Sequence, residues 1–241
     1  MLKIAVCVHL YYVEMFQEIT FYLDNFCDIS YDLYFTIPQE NKVFLPVLKG
    51  RYPHAKVIVT DNVGFDIYPF LCFLKEINLD YYDVVFKLHS KKDIPIEFSR
   101  NGVDLSGSKW RDYMFQALMG SQQRVKYVMR IMERHPHIGM VCAREVLLRG
   151  SAMIAQDIDL IKVEAAMQEC KLLIREWEYV AGSIFAVRSK LLKPLKNRNY
   201  LKADFPPYFP RDWNGLPYCL ERVFGCLVSA QGMVIGGLPP V

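Results

Sequence analysis

The 241 residues contain no GxxxxGK[ST] phosphate loop, no GxGxxG, no HExxH and no GxSxG. These absences remove P-loop nucleotide hydrolysis, the glycine fingerprint of dinucleotide folds, zincin proteolysis and nucleophile-elbow hydrolysis. Seven cysteines, at 7, 27, 72, 142, 170, 219 and 226, are scattered, odd in number and without a CxxC pair. That pattern excludes a disulfide framework or a cysteine zinc site and predicts reduced core residues of a cytoplasmic chain. No stretch is long and apolar enough for a membrane span; the best candidate, residues 223–240, is interrupted by Ser229, Gln231, glycines and two prolines. The apolar N-terminus MLKIAVCVHLYY has no small-residue cleavage site after it and reads as a first buried strand, not a leader. Excess charge is also missing: 29 Lys and Arg against 26 Asp and Glu give +3, too mild for a dedicated nucleic-acid binder, although local basic patches can still meet phosphates or an anionic membrane.

What is present is apolar and alternating. Hydrophobic residues make up 52%, so a folded chain is expected, long enough to bury a core as one domain spanning residues 1–241. Strand signals fall at residues 3–10, 31–37, 56–60, 84–86, 138–142 and 179–187, and helix signals at 14–26, 43–52, 66–77, 108–119, 121–133, 157–175 and 213–224. The alternation predicts an α/β fold, a Rossmann-type domain with a mostly parallel central sheet flanked by helices. A polar, glycine-containing connection at 94–107 is the candidate lid or substrate loop, and 197–210, rich in proline and aromatics, reads as irregular.

Two stretches carry candidate chemistry. In DVVFKLHSKKD, from Asp83 to Asp93, a β-branched run is followed at once by polar, cationic residues. In an open α/β sheet, ligands bind at the carboxyl ends of strands. Lys87, His89, Lys91 and Lys92 there offer donors and positive charge that suit a diphosphate better than a metal ion; a solvated surface loop is the other reading. In DNVGFD, Gly64 permits a turn with positive φ and Asp66 is suited to cap the following helix. Alternatively, Asp61 and Asn62 hydrogen-bond the base or ribose of a nucleotide, with His9 and Tyr11 at the exit of the first strand as the opposite wall and Tyr11 as a stacking surface. His135 and His137 flank Pro136 and read as a turn, not a metal pair.

VHLYY at 8–12, DNVGFDIYPFL at 61–71, YDVVFKLHSKK at 82–92, KWRDYM at 109–114, VAGSIFAVRSKLL at 180–192 and CLERVFG at 219–225 together resemble the rhamnan synthesis protein F family. The resemblance implies a GT-A-like glycosyltransferase of bacterial cell-surface polysaccharide assembly, acting on a nucleoside diphosphate sugar, with rhamnose the characteristic but not the only sugar and dTDP-rhamnose a candidate donor, and on a glycan or lipid-linked glycan acceptor. It implies a nucleotide-sugar half at 1–93, an acceptor half at 94–241, other polysaccharide-assembly enzymes as partners, no nucleic acid, and a cytoplasmic location, peripheral at the inner face of the plasma membrane.

Many GT-A enzymes end the corresponding strand in two aspartates that hold a divalent cation; His89 and Lys91 stand at that spacing here. A fixed ammonium in place of a metal implies metal-independent catalysis with no cofactor. At about 4 Å from a phosphate oxygen it contributes on the order of 4 kcal/mol of Coulomb attraction before desolvation. On the acceptor side the resemblance points to Trp110, Arg111, Gly182, Ser183, Glu221 and Arg222, and to Asp212, ahead of the last helix, as the base of an inverting reaction, with Asp204 and Glu221 as rivals. The sequence departs from the family pattern at Ala186, where an aromatic is usual, and at Trp213 and Tyr218, where an acidic residue and a histidine are expected. Those departures keep a second class open: a carbohydrate- or nucleotide-binding assembly subunit that retains the fold without the chemistry.

Overall fold

The computed structural model describes residues 2–100, 102–150, 160–173, 176–205 and 215–241. In chain order, β1 (Ile4–His9), α1 (Phe16–Asp24), β2 (Asp32–Pro38), α2 (Leu45–Arg51), β3 (Lys56–Thr60), α3 (Ile67–Glu76) and β4 (Val84–His89) form the first half. A short hairpin, β5 (Ser99–Arg100) with β6 (Val103–Asp104), precedes α4 (Lys109–Met119), α5 (Gln122–Arg134), β7 (Ile138–Ala143) and β8 (Leu147–Arg149). Then come α6 (Leu160–Glu169), β9 (Glu178–Val180), β10 (Phe185–Arg188), α7 (Lys193–Arg198), α8 (Leu216–Ser229) and β11 (Val234–Leu238).

Seven strands make one sheet in the order β11-β7-β10-β4-β1-β2-β3, drawn from both halves of the chain. All neighbours are parallel except β10, which runs antiparallel to both β4 and β7. The chain builds β2 and β3 outward on one side of β1 and then places β4 on the other. The order therefore reverses between β1 and β4, which is where an open α/β sheet leaves a crevice at its carboxyl edge. Every residue of β1 and of β4 is buried, as continuous apolar runs in a sheet covered on both faces must be. The register sets His9 directly beside His89 at the last step.

The alternation of strands and helices follows the sequence expectation, with instructive departures. The 179–187 segment is two strands in different sheets: β9 pairs with β8, β10 joins the main sheet, and the AGS stretch is the turn between them. Gly182 at φ 89° and the amide of Ser183 bonded to the Val180 carbonyl at 3.0 Å define that turn. Of the helical signal over 157–175, residues 157–159 and 174–175 lie outside the described residues; the described helix ends at Glu169, and Lys171 just beyond it takes a left-handed φ of 58°. The 94–107 connection, the candidate lid or substrate loop, is pinned at its two ends and contributes Pro95, Ile96, Phe98 and Arg100 to the cleft described below. The amides of Ile94 and Gly107 each donate to the other's carbonyl at 2.9 Å, Leu105 is buried, and β5–β6 lies between them.

The apolar 223–240 stretch divides into the end of α8 and the edge strand β11. No described helix is long and apolar enough to cross a membrane. All seven cysteines are free, five of them buried; Cys27 is exposed and Cys72 half-buried, so the expectation of core thiols fails at those two.

Candidate active site

At the reversal of strand order the carboxyl ends of β1 and β4 open into a cleft of about 910 Å³, a size suited to a nucleotide-scale ligand. Its floor is a buried polar knot. Lys87, 1% exposed on β4, points its ammonium at Asp66, at the Ser183 carbonyl (3.0 Å) and at Ser183 Oγ (2.9 Å). An ammonium has three donors, and all three are engaged inside the protein. Lys87 is thus a tie between β4, the start of α3 and the turn before β10, and it does not line the cleft.

Asp66 stands at the N-cap position of α3, but its carboxylate makes no cap bond. It turns instead to Lys87 and accepts from Ser183 Oγ at 2.5 Å, which corrects the capping role suggested by the sequence. Burial raises its pKa, but His89 when it is protonated, the Lys87 charge and the hydrogen bonds from Lys87 and Ser183 outweigh that and hold it well below the ordinary carboxylate range.

His9 and His89 complete the floor. His9 Nδ1 lies 3.0 Å from Thr36 Oγ1. His89 Nδ1 is 3.5 Å from Asp66 Oδ2 and has no hydrogen-bond partner. Burial outweighs the pull of Asp66 and lowers the two rings to about 4 and about 3 respectively. At neutral pH both are uncharged, so the cation balancing Asp66 there is Lys87.

Two non-glycine residues in left-handed conformation flank this floor, Phe65 at φ 55° and Ser183 at φ 49°. Such backbone is costly and persists only where its surroundings fix it. Here Asp66 and Lys87 hold one end of Ser183. Glu221 of α8 accepts the Gly182 amide at 2.6 Å and is itself held by Arg222 at 2.7 Å. At Gly182 a Cβ would meet Met114 Sδ at 2.8 Å and Trp110 Nε1 at 2.9 Å, so the close approach of α4 requires glycine.

The walls are aromatic and cationic. Tyr11 and Tyr12 follow β1; Phe65 and Tyr218 face each other with ring centres 5.6 Å apart. On the hairpin side Phe98 stacks on Trp110 at 5.7 Å, and the Lys91 ammonium lies 4.2 Å from the centre of the Trp110 ring. Lys92, at the rim, pairs with Glu14 at 2.9 Å, and Arg100 adds a further guanidinium.

Of the residues singled out in the sequence, His9, Tyr11, Asn62, Gly64, Asp66, His89, Lys91, Lys92, Trp110, Gly182, Ser183, Glu221 and Arg222 all line this one cleft. Lys87 lies beneath it. Asp61 is outside the lining and pairs with Lys202 at 2.7 Å. Arg111 is also outside, fixing the HSKKD loop through Glu18 at 2.7 Å, the Lys91 carbonyl at 3.0 Å, and Asp93. Asp212 and Trp213 lie outside the described residues. Asp204 accepts the Leu201 amide at 2.8 Å and does not line the cleft. Ala186 is fully buried within β10, between Phe86 and Val141 in register.

Sequence reasoning missed Ser90, whose Oγ accepts the amides of Tyr11 at 3.0 Å and Tyr12 at 2.8 Å and so ties the two strand exits together. The signal available was a serine between cationic residues just past a strand, where a hydroxyl competes for backbone donors. Phe65, Phe98, Arg100 and Tyr218 were missed as lining residues because only the tertiary fold brings the loop before α3, the β5 hairpin and the start of α8 to β4.

The protein is a Rossmann-like open α/β sheet with a polar, aromatic-walled cleft at its switch point, the place where proteins of that class bind their ligands. Comparison with known proteins narrows the class. The chain belongs to the rhamnan synthesis protein F family, whose model matches residues 1–233, and this associates it with polysaccharide synthesis. It is also 24% identical over 231 residues to the uncharacterized protein WxcX of two strains of Xanthomonas campestris pv. campestris, covering 95% of this chain and 32% of each relative. The chain thus spans about a third of the length of these curated relatives.

Proposed function

We propose that the chain is a GT-A-type, inverting glycosyltransferase that moves a sugar, rhamnose first among the candidates, from a nucleoside diphosphate to a growing surface glycan or lipid-linked glycan at the inner membrane face. Family membership supports the polysaccharide context. The observation that carries the activity is the charge arrangement of the cleft: Lys91, Lys92 and Arg100 bring cations to its walls, while the lining carboxylates Asp66, Asp93 and Glu221 each bond to a cation of the chain. A diphosphate leaving toward Lys91 is stabilised by a fixed charge already in place, which needs no reorganisation as negative charge develops.

These residues do not fit a divalent cation of the usual GT-A kind. His89 and Lys91 stand where paired aspartates would, and Asp66 Oδ2 is occupied by Lys87 and Ser183. Among the described residues no group of three or more His, Cys, Asp or Glu side chains is placed to hold a metal. In this reading Tyr11 and Asn62 receive the nucleoside, Lys91 and Lys92 the diphosphate, and the acceptor enters between Trp110 and the Glu221–Arg222 pair. A carboxylate, with Asp212 as the candidate, removes the acceptor proton, a role typically worth about 100- to 10,000-fold.

The engagement of every described lining carboxylate favours one other reading, a binding subunit without turnover. Calorimetry and sugar-release assays across UDP-, dTDP- and GDP-sugars, with and without chelator, separate the two. Metal-independent binding with release of nucleoside diphosphate supports the transferase; binding without release supports the subunit; absence of binding removes the transferase and leaves only a subunit that binds carbohydrate without a nucleotide.

A further inference from the structure

The rim and the floor of the cleft differ in chemistry. Lys91, Lys92 and Arg100 stand at the rim and the buried Arg222 is tied to Glu221 and the Tyr218 carbonyl, whereas at the floor the Asp66 carboxylate is flanked by two neutral imidazoles. Lys87, beneath it, has no donor left to offer a ligand. A phosphate placed on the floor would meet a carboxylate with no uncommitted ammonium beside it, a like-charge contact in a partly dry site.

The His89 ring is 6% exposed and its Nδ1 has no hydrogen-bond partner. With Nδ1 directed toward Asp66 Oδ2 at 3.5 Å, the favoured tautomer carries the proton there and leaves Nε2 as the acceptor of a residue that lines the cleft. The bonds that Asp66 accepts from Lys87 and Ser183 both end on Oδ2, so the acceptors offered at the floor are Asp66 Oδ1 and His89 Nε2.

We infer that Asp66 and His89 form a subsite for two neighbouring hydroxyls of an uncharged sugar ring, with the phosphates kept at the Lys91 rim. The subsite rests on the glycosyltransferase reading for the identity of its ligand, a nucleotide-linked hexose or deoxyhexose. His89 is in this account a specificity-determining residue and contributes nothing to leaving-group stabilisation. Sugar selection then depends on hydrogen bonding, where a missing hydroxyl leaves Asp66 or His89 unpaired and is rejected more strongly than a change of apolar bulk.

The test compares calorimetric affinities of UDP, dTDP and GDP with those of UDP-glucose, dTDP-rhamnose and GDP-mannose, for the native chain and for His89→Gln. His89→Gln is expected to keep the affinity for the bare diphosphate within about twofold and to lose about tenfold of the gain that the sugar adds, the scale of one hydrogen bond. Equal weakening of diphosphate and nucleotide sugar would move the phosphates to His89 and overturn the subsite, as would unchanged affinity for both. If His89→Gln does not fold, the imidazole NMR signals of the native chain make the same distinction, moving with the nucleotide sugar and staying still with the diphosphate alone. If the native chain binds none of the nucleotides, the transferase reading falls, and titration with methyl rhamnoside, glucoside and mannoside judges the floor separately: shifts at His89 uphold the hydroxyl subsite, and their absence ends it.

Discussion

A single buried ammonium shows why a residue's type does not disclose its job. Lys87 stands in a cationic stretch that suggests ligand binding, yet it is spent on Asp66 and Ser183. Removing one partner strands the other charge. Asp66→Ala is expected to cost about 3–5 kcal/mol in urea unfolding, while Asp66→Asn with Lys87→Met recovers most of it; equal losses in the single and double variants would contradict the coupling. The histidines add a pH dependence. His9 faces Asp66, Lys87 and Thr36; His89 faces Asp66, Lys87, Lys91 and His9. Their folded pKa values, about 4 and about 3, lie below the unfolded value near 6.5, so the unfolded chain takes up protons first as the pH falls. Stability is full above about 6.5 and declines toward pH 4, and the depressed Asp66 adds a loss only below the ordinary carboxylate pKa. Urea midpoints at pH 7 and 4.5 should differ, with a shallower difference in His9→Gln; identical midpoints would refute the buried neutral rings.

Among elements, α8 decides the most. It lies so close to β9 that a Cβ on Gly225 would fall 1.7 Å from the Glu178 carbonyl oxygen. The same helix carries Glu221 to the Gly182 amide one turn earlier. Gly225→Ala must push the helix off the strand, and overpacking of this kind costs about 1–3 kcal/mol, a fall in Tm on the order of 2–12 °C for a chain of this size. Because Glu221 moves with the helix, nucleotide-sugar affinity should fall too. Loss of stability with unchanged affinity would show that the 182–183 turn holds its shape without α8.

Across the whole molecule, the cleft exists only because one sheet draws strands from both halves of the chain. β4 brings His89 and the HSKK loop, the β9–β10 turn brings Ser183, and α8 brings Glu221 and Tyr218. If the diphosphate is held at the rim by Lys91, Lys91→Ala should weaken nucleoside diphosphate binding about tenfold or more with little change in Tm, and the native affinity should fall with added salt. Chelator should leave binding intact. Affinity abolished by chelator and restored by manganese or magnesium would reject the fixed-cation account.

The strand and helix sequence from β1 to α3, and the position of β4, were legible because fully buried strands must be apolar runs and surface helices must repeat their apolar positions. Gly64 also announced its turn, and its φ is 65°. The gathering of thirteen of the singled-out residues in one cleft was foreshadowed by the family resemblance and by the rule that open sheets bind at strand ends. What the chain's own order could not show was partnership. Asp66 as cap or counter-ion, Lys87 as ligand or tie, and AGS as strand or turn are each consistent with local propensity. They were decided by neighbours distant in sequence: Ser183 lies 117 residues from Asp66 and 96 from Lys87. Hydrogen-bond geometry and burial between such groups arise only when the sheet closes.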